Sequence, residues 1–281
     1  MQTRLMLAAQ KLSPWLIPLA ALAMVFAWLS IAPPGILGKA DALGYAVCHR
    51  LGERSFHLGN GVQLPLCARC SGMYLGVVVG LVFQAFISRR RGGMPPMRVI
   101  VPLALLGLAF AIDGTNSYLY LMKTISPGRL DFIPTLYIPN NTLRLLTGSG
   151  AGLAIAVAIF PSFNQTLWRD WDPHPALASL KPLASLMAIM LVLDLLILPE
   201  WDFVLYPLAI VSAGGVLFLL AMIYEMLWVI LTKQENQFAA FGQTWLPALA
   251  GLTIALLQIT AIDLFRLWFT HTWGGFPLPL G

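Results

Sequence analysis

The stretch FVLYPLAIVSAGGVLFLLAMIYEMLWVIL, residues 203–231, decides the fold. It carries one charged residue, Glu225, and is longer than the roughly 20 residues that cross a hydrocarbon core. Its side chains are apolar all round rather than along one stripe, which suits a helix whose solvent is lipid. Runs of the same kind recur at about 14–32, 71–88, 99–122, 142–160, 182–199 and 245–270, giving seven spans. The whole chain agrees, with 281 residues, 58% of them hydrophobic and 10% charged, and a mean hydropathy of +0.78. A soluble domain of that size needs far more polar surface. The expectation is an all-α polytopic membrane bundle of about seven transmembrane helices, forming one domain over residues 1–281.

The formal net charge of +5 reads as a topology signal, because the basic residues are scattered through short loops and do not cluster on a soluble module. A nucleic-acid partner is therefore not expected; the lipid bilayer is. Arg4 and Lys11 precede the first span, which ends in Ala32-Pro33-Pro34 without a small-x-small cleavage site, so it reads as a retained anchor. Arg89, Arg90, Arg91 and Arg98 mark the loop after the second span as cytoplasmic, and Arg169, Lys181 and Lys233 then fall on the same side. This puts the amino terminus inside and segment 33–70 outside, in a bacterial inner membrane. That outer segment carries Lys39, Arg50, Arg54 and Arg69, which oppose the bias unless they are held in a site. Other linkers are 123–140, with Pro127, Pro134 and Pro139, and 161–180, with Trp168, Trp171 and His174. No internal repeat is visible, which argues against a transporter built from inverted repeats.

All three cysteines lie in the outer segment, which reads Cys48-His49-Arg50-Leu-Gly-Glu53-Arg54-Ser55-Phe56-His57, and then Pro65-Leu-Cys67-Ala-Arg69-Cys70-Ser71-Gly72. Cys67-x-x-Cys70 sits where a loop becomes a helix. The helix dipole and Arg69 there favour a thiolate. One reading is a metal site of Cys48, Cys67, Cys70 and either His49 or His57, suited to zinc, with copper(I) a softer alternative. The adjacency of Cys48 and His49 weighs against it. A second reading is a thiol–disulfide centre passing electrons to quinone. A third is a disulfide that staples the loop. Attachment of c-type haem is not expected, because Ser71 stands where His is needed.

Arg50, Arg54 and Arg69 are candidates for holding an anion such as a lipid phosphate, or they pair with Glu53. Within the spans, Asp113 and Arg144 are expected to meet beneath the cysteine loop. Asp263 and Arg266 sit at i and i+3, Asp194 has no obvious partner, Glu225 reads as packing, and His271 lies near the outer end of the seventh span. Trp15, Trp201, Trp245 and Trp273 read as interface anchors.

Cys48-His49-Arg50, Glu53-Arg54-Ser55-Phe56, Pro65-Leu66-Cys67-Ala68-Arg69-Cys70, Gly72 and Tyr74 resemble the signature of a family of bacterial membrane proteins defined as a domain of unknown function. Asp113-Gly114 and Asn141-x-x-Arg144-x-x-Thr147-Gly148 look like its later elements, with Asn116 nearest to an amide associated with it. The likeness covers about residues 40–150. It implies an integral membrane protein and supplies no activity.

Together these readings give an outward polar site. Its metal ligands are Cys48, His49, Cys67 and Cys70. Arg50 and Arg54 are expected to bind a cofactor, and Asp113, Arg144 and Arg69 are the catalytic candidates. Zinc is the expected metal, with copper or quinone as alternatives. The competing functions are a quinone-coupled oxidoreductase and a noncatalytic subunit of a larger complex.

Overall fold

A computed structural model describes residues 2–128, 130 and 132–275, with side chains from Pro14 onward, so the side chains of Arg4 and Lys11 lie outside the described residues. Helix α1 covers Gln2–Ile31, α3 Ala68–Ile87, α4 Met97–Ile125, α5 Asn141–Leu167, α6 Leu180–Ile197, α7 Asp202–Leu231 and α8 Trp245–Thr270. All seven are long and apolar enough to cross a bilayer. A shorter helix, α2 (Gly35–Val47), lies in the segment read as a loop. Helix α5 runs through Pro161 to Leu167, further than its apolar run suggests. The backbone groups freed by an internal proline are tolerated where neighbouring helices cover them, and Pro161 is buried.

Helices α3 and α5 pack backbone to backbone. Gly72, Gly76 and Gly80 of α3 repeat every four residues, and Gly148, Gly152 and Ala156 of α5 answer them. A Cβ at Gly72 would stand 2.5 Å from the Leu145 carbonyl oxygen, and one at Gly76 2.5 Å from that of Ser149. Lipid offers apolar helices no hydrophobic drive to associate, so close van der Waals fit between small residues does that work. Helix α7 packs on α3 and α8, α1 lies on α8, and α4 on α5.

The connections gather on two faces. On one, β1 (Arg91–Gly93) pairs in parallel with β2 (Asp172–Pro175), and Arg90 donates to the Ala239 carbonyl at 2.6 Å. Trp168 is buried there against Phe241, with the Arg90 guanidinium 4.8 Å above its ring. On the other face, Asp202 at the start of α7 accepts the Gly59 N–H, and Asn141 at the start of α5 reaches the Ser55 carbonyl. Trp273, read as an interface anchor, instead packs on Tyr45 of α2 and accepts from Arg50 through its carbonyl.

Candidate metal centre

Two glycine and proline positions bring the cysteines together. Helix α2 presses Gly44 onto the Pro65 carbonyl, where a Cβ would overlap it, so the α2 C-cap Cys48 lands beside Cys67, the N-cap of α3. Between them the chain folds back as a hairpin. The Leu64 N–H bonds to the Phe56 carbonyl at 3.0 Å, His57 pairs with Gln63, and Gly59-Asn60 makes the turn, closed by the Gly61 N–H on the Leu58 carbonyl at 2.7 Å, with Gly61 left-handed at φ +82°. Buried Phe56, Leu64 and Leu66 anchor this hairpin.

The ligand atoms of Cys48, His49 and Cys67 all lie within 4.8 Å of one another. The Cys48 sulfur accepts the backbone N–H of Cys67 at 3.3 Å and that of Arg50 at 3.5 Å. Hydrogen bonds from the Cys67 and Cys70 thiols hold its pKa well below the ordinary thiol range. Cys67 moves the opposite way, pushed up because its proton is the one shared with Cys48. The sequence places a lowered thiol at the helix start, whereas the lowered one is Cys48, whose sulfur receives the hydrogen bonds of its neighbours. Burial keeps the His49 imidazole neutral by lowering its pKa, and its Nε2 is buried with no hydrogen-bond partner. All three cysteines are free, and Cys70 packs against Cys48 and Cys67 without closing on the imidazole. Exposed His57 stays on the hairpin, so His49 is the imidazole that joins the sulfurs.

The ligand loop is clamped from α8. Arg266 donates Nη1 to the carbonyls of Tyr45 and Cys48 and Nη2 to that of His49, with its guanidinium 4.0 Å above the Tyr45 ring. The sequence offers Arg266 only a partner on its own helix. Arg50, expected to bind a cofactor, is committed elsewhere. It pairs with Asp41 at 2.8 Å, donates to the Trp273 carbonyl at 2.8 Å, and holds a left-handed φ of +52°. Burial raises the Asp41 pKa against the pull of Arg50.

Asp113 meets Arg69, not Arg144. Arg69 donates Nε at 3.1 Å and Nη2 to its carboxylate, and Tyr137 donates its hydroxyl at 2.7 Å. The reason is register: Arg69 rides the first turn of α3 directly against Gly148, whereas Arg144 stands one turn further out and donates to Asn141. Asn116 positions Tyr137 by accepting the Leu136 N–H at 2.8 Å and donating to the Tyr137 carbonyl at 3.0 Å. Nothing in the sequence marks Tyr137 or Ser117 as belonging here. Asp194 finds a partner across α5, accepting from Ser149 at 2.7 Å, and His271 is exposed beyond α8.

Residues 48–158 match a family model described as "Predicted membrane protein (DUF2085)". The match begins on Cys48 and ends within α5, so it spans the sulfurs, His49, Arg54, Arg69, Asp113 and Arg144 but not Arg266. An uncharacterized protein of Methanocaldococcus jannaschii is 29% identical over 125 residues, which cover 44% of this chain and 69% of that relative. Another, from Methanothermobacter thermautotrophicus, is 29% identical over 115 residues, covering 40% of this chain and 82% of its own. Both are archaeal, so the likeness reaches beyond the bacteria that the signature suggests. No solved structure matches.

Proposed function

We propose that this membrane protein binds a transition-metal ion, zinc by preference, through Cys48, His49 and Cys67, with Cys70 available as a fourth ligand. The carrying observation is the His49 imidazole, a nitrogen of which lies within 4.8 Å of two sulfurs and whose buried Nε2 has no hydrogen-bond partner. Leaving a buried ring nitrogen unpaired costs about 1–3 kcal/mol, which a coordinated ion removes. In a tetrahedral zinc site sulfur and nitrogen ligands lie about 3.6–3.8 Å apart, so a small contraction of the cluster suffices. The N–H groups on the Cys48 sulfur and the Arg266 clamp play the orienting part that outer contacts play around metal ligands. A thiolate, a neutral imidazole and a second sulfur suit zinc, and copper(I) on grounds of softness.

The basic loops of the opposite face support an orientation with this site on the noncytoplasmic side of the membrane. The Lys39 ammonium is taken up by the Leu29 and Ala32 carbonyls, and Arg50, Arg54 and Arg69 are bound as well. That these cations are held within the site supports discounting them in the topology signal.

The test is a metal inventory of the full chain purified in detergent without chelator. About one zinc per chain is expected, falling at least tenfold in Cys67→Ser and in His49→Gln. Absence of stoichiometric metal under both reducing and oxidising handling overturns the proposal. The closeness of three sulfurs favours one second reading. In it two thiols give two electrons and two protons to a quinone, leaving a disulfide and a quinol. Differential alkylation before and after reduction separates the two, since a metal site leaves the thiols reduced throughout.

A further inference from the structure

Beside the sulfur cluster, the amino terminus of α3 packs against the second turn of α5. Gly148 of α5 lies so close to the Arg69 backbone that a Cβ would overlap the carbonyl, and the Thr147 hydroxyl reaches Asp113 at 3.4 Å. The helices, 20 and 27 residues long, run parallel here, and α3 brings the positive end of its dipole and its first N–H groups to this point while α5 starts about two turns further out. Asn140 satisfies the Leu143 N–H, and α3 has no side-chain cap.

Three guanidinium groups converge on the same place. Arg54 donates to the Ser117 carbonyl at 3.0 Å and Arg69 to the Ser117 hydroxyl at 3.0 Å, so the two share one residue of α4. Arg144 donates to Asn141 at 2.9 Å, and Asn141 in turn reaches the carbonyl of Ser55, next to Arg54. Burial and the nearby Arg69 both push the Arg54 pKa down, as expected of crowded like charges. The carboxylates facing the three are Asp113, already engaged by Arg69, Tyr137 and Thr147, and exposed Glu53 beside Arg54. Arg144 is 6% exposed, and its Nε is buried without a partner. A buried, incompletely bonded guanidinium in the first turn of a helix and beside two like charges is costly unless an anion completes it.

We infer that Arg54, Arg69 and Arg144, beside the amino terminus of α3, bind a tetrahedral oxyanion of the phosphate type, as free phosphate or as a phospholipid headgroup. Planar guanidinium forks match the oxygen geometry of phosphate, and a helix amino terminus supplies further N–H donors. Cys67 lies within electrostatic reach of both Arg54 and Arg144, and His49 of Arg54 and Arg69. The oxyanion site stands on these contacts alone; that it is the substrate pocket of the metal centre rests on the reading proposed above.

Two probes test it on the full chain. Radiolabelled inorganic phosphate is dialysed against the protein in lipid-free detergent. Nanodiscs of phosphatidylcholine with increasing phosphatidylglycerol are scored for bound lipid by native mass spectrometry. Saturable binding of either probe is expected, weakened at least about tenfold by Arg144→Gln and by Arg54→Gln. Uptake of phosphate in detergent identifies the free oxyanion, and saturation by phosphatidylglycerol alone identifies the headgroup. Arg54 is half-buried and its one donated bond goes to a carbonyl, so its variant gives the result if Arg144→Gln fails to fold. Metal content is measured in the same samples, with Cys67→Ser alongside, so loss of oxyanion with metal intact and loss of metal with oxyanion intact are separate results. Failure of both probes to saturate, or saturation that neither arginine variant changes, overturns the inference.

Discussion

A metal ion entering the cluster meets three donors in different protonation states. Cys48 is drawn to the thiolate by hydrogen bonds from its sulfur neighbours, His49 is held neutral by burial, and Cys67 keeps its proton. Two donors are therefore ready near neutral pH and one must be deprotonated, so binding expels one proton. Zinc affinity should rise with pH, by about one log unit per pH unit where the Cys67 thiol is the one group left to deprotonate, read by competition with a chromophoric chelator. A slope near two would mark Cys70 joining as the fourth ligand, and a flat profile would contradict this assignment of the protons. Adjacency of Cys48 and His49 is no obstacle to shared ligation. Cys48 is extended at φ −126°, and the chain turns at once through left-handed Arg50. A non-glycine residue in that region costs about 1–2 kcal/mol, and here it is restrained by Asp41, Trp273 and the Gln63 side chain on the Arg50 carbonyl.

At the scale of elements, the site depends on how closely α3 approaches α5, because that contact sets the start of α3 against Gly148 and Arg69 against Asp113. Gly76→Ala puts a methyl 2.5 Å from the Ser149 carbonyl oxygen and 3.2 Å from the Gly152 Cα, against backbone that cannot yield locally. It should destabilise the protein by about 2–3 kcal/mol, read as a lowered midpoint of unfolding in detergent. Gly107→Ala, on α4 with nothing within 4 Å of the new methyl, should leave the midpoint unchanged or raise it slightly. Equal effects at the two positions would mean that α3 and α5 do not meet through their glycines. The seven spans were legible because long apolar runs admit one structure in lipid, and α3 starts where Cys67-x-x-Cys70 places a helix start. The four-residue glycine spacing of α3 and the hairpin between Phe56 and Leu64 were not read from the sequence, because each takes its meaning from the backbone it touches. Helix α2 escaped because its 13 residues are too short for a span and too weakly patterned to stand out in a loop. The Arg69 to Asp113 pairing, the Arg266 clamp and the arrival of Tyr137 depend on which turn of one helix faces which turn of another, and no single-chain periodicity encodes that register.

Across the whole molecule, polar chemistry divides between two ends that do different work. The end bearing Arg89, Arg90, Arg91, Arg98, Arg169, Lys181 and Lys233 binds loops to one another, through Arg90 on the Ala239 carbonyl, Arg91 with Asp172, and Arg98 on the Ala178 carbonyl. The opposite end gathers its arginines around sulfur, imidazole and the start of α3. If the basic end faces the cytoplasm, as the distribution of Lys and Arg favours, a phosphatase fused after Thr272 should be active and a fluorescent protein fused there dark. Fusions after Lys233 should give the reverse. The result also bears on the chemistry. Disulfides form and persist on the oxidising side of a membrane and are kept reduced in the cytoplasm. Fluorescence after Thr272 would therefore remove the ground for quinone-coupled thiol oxidation, yet it would leave the metal centre intact, because a thiolate and a neutral imidazole bind zinc in either compartment.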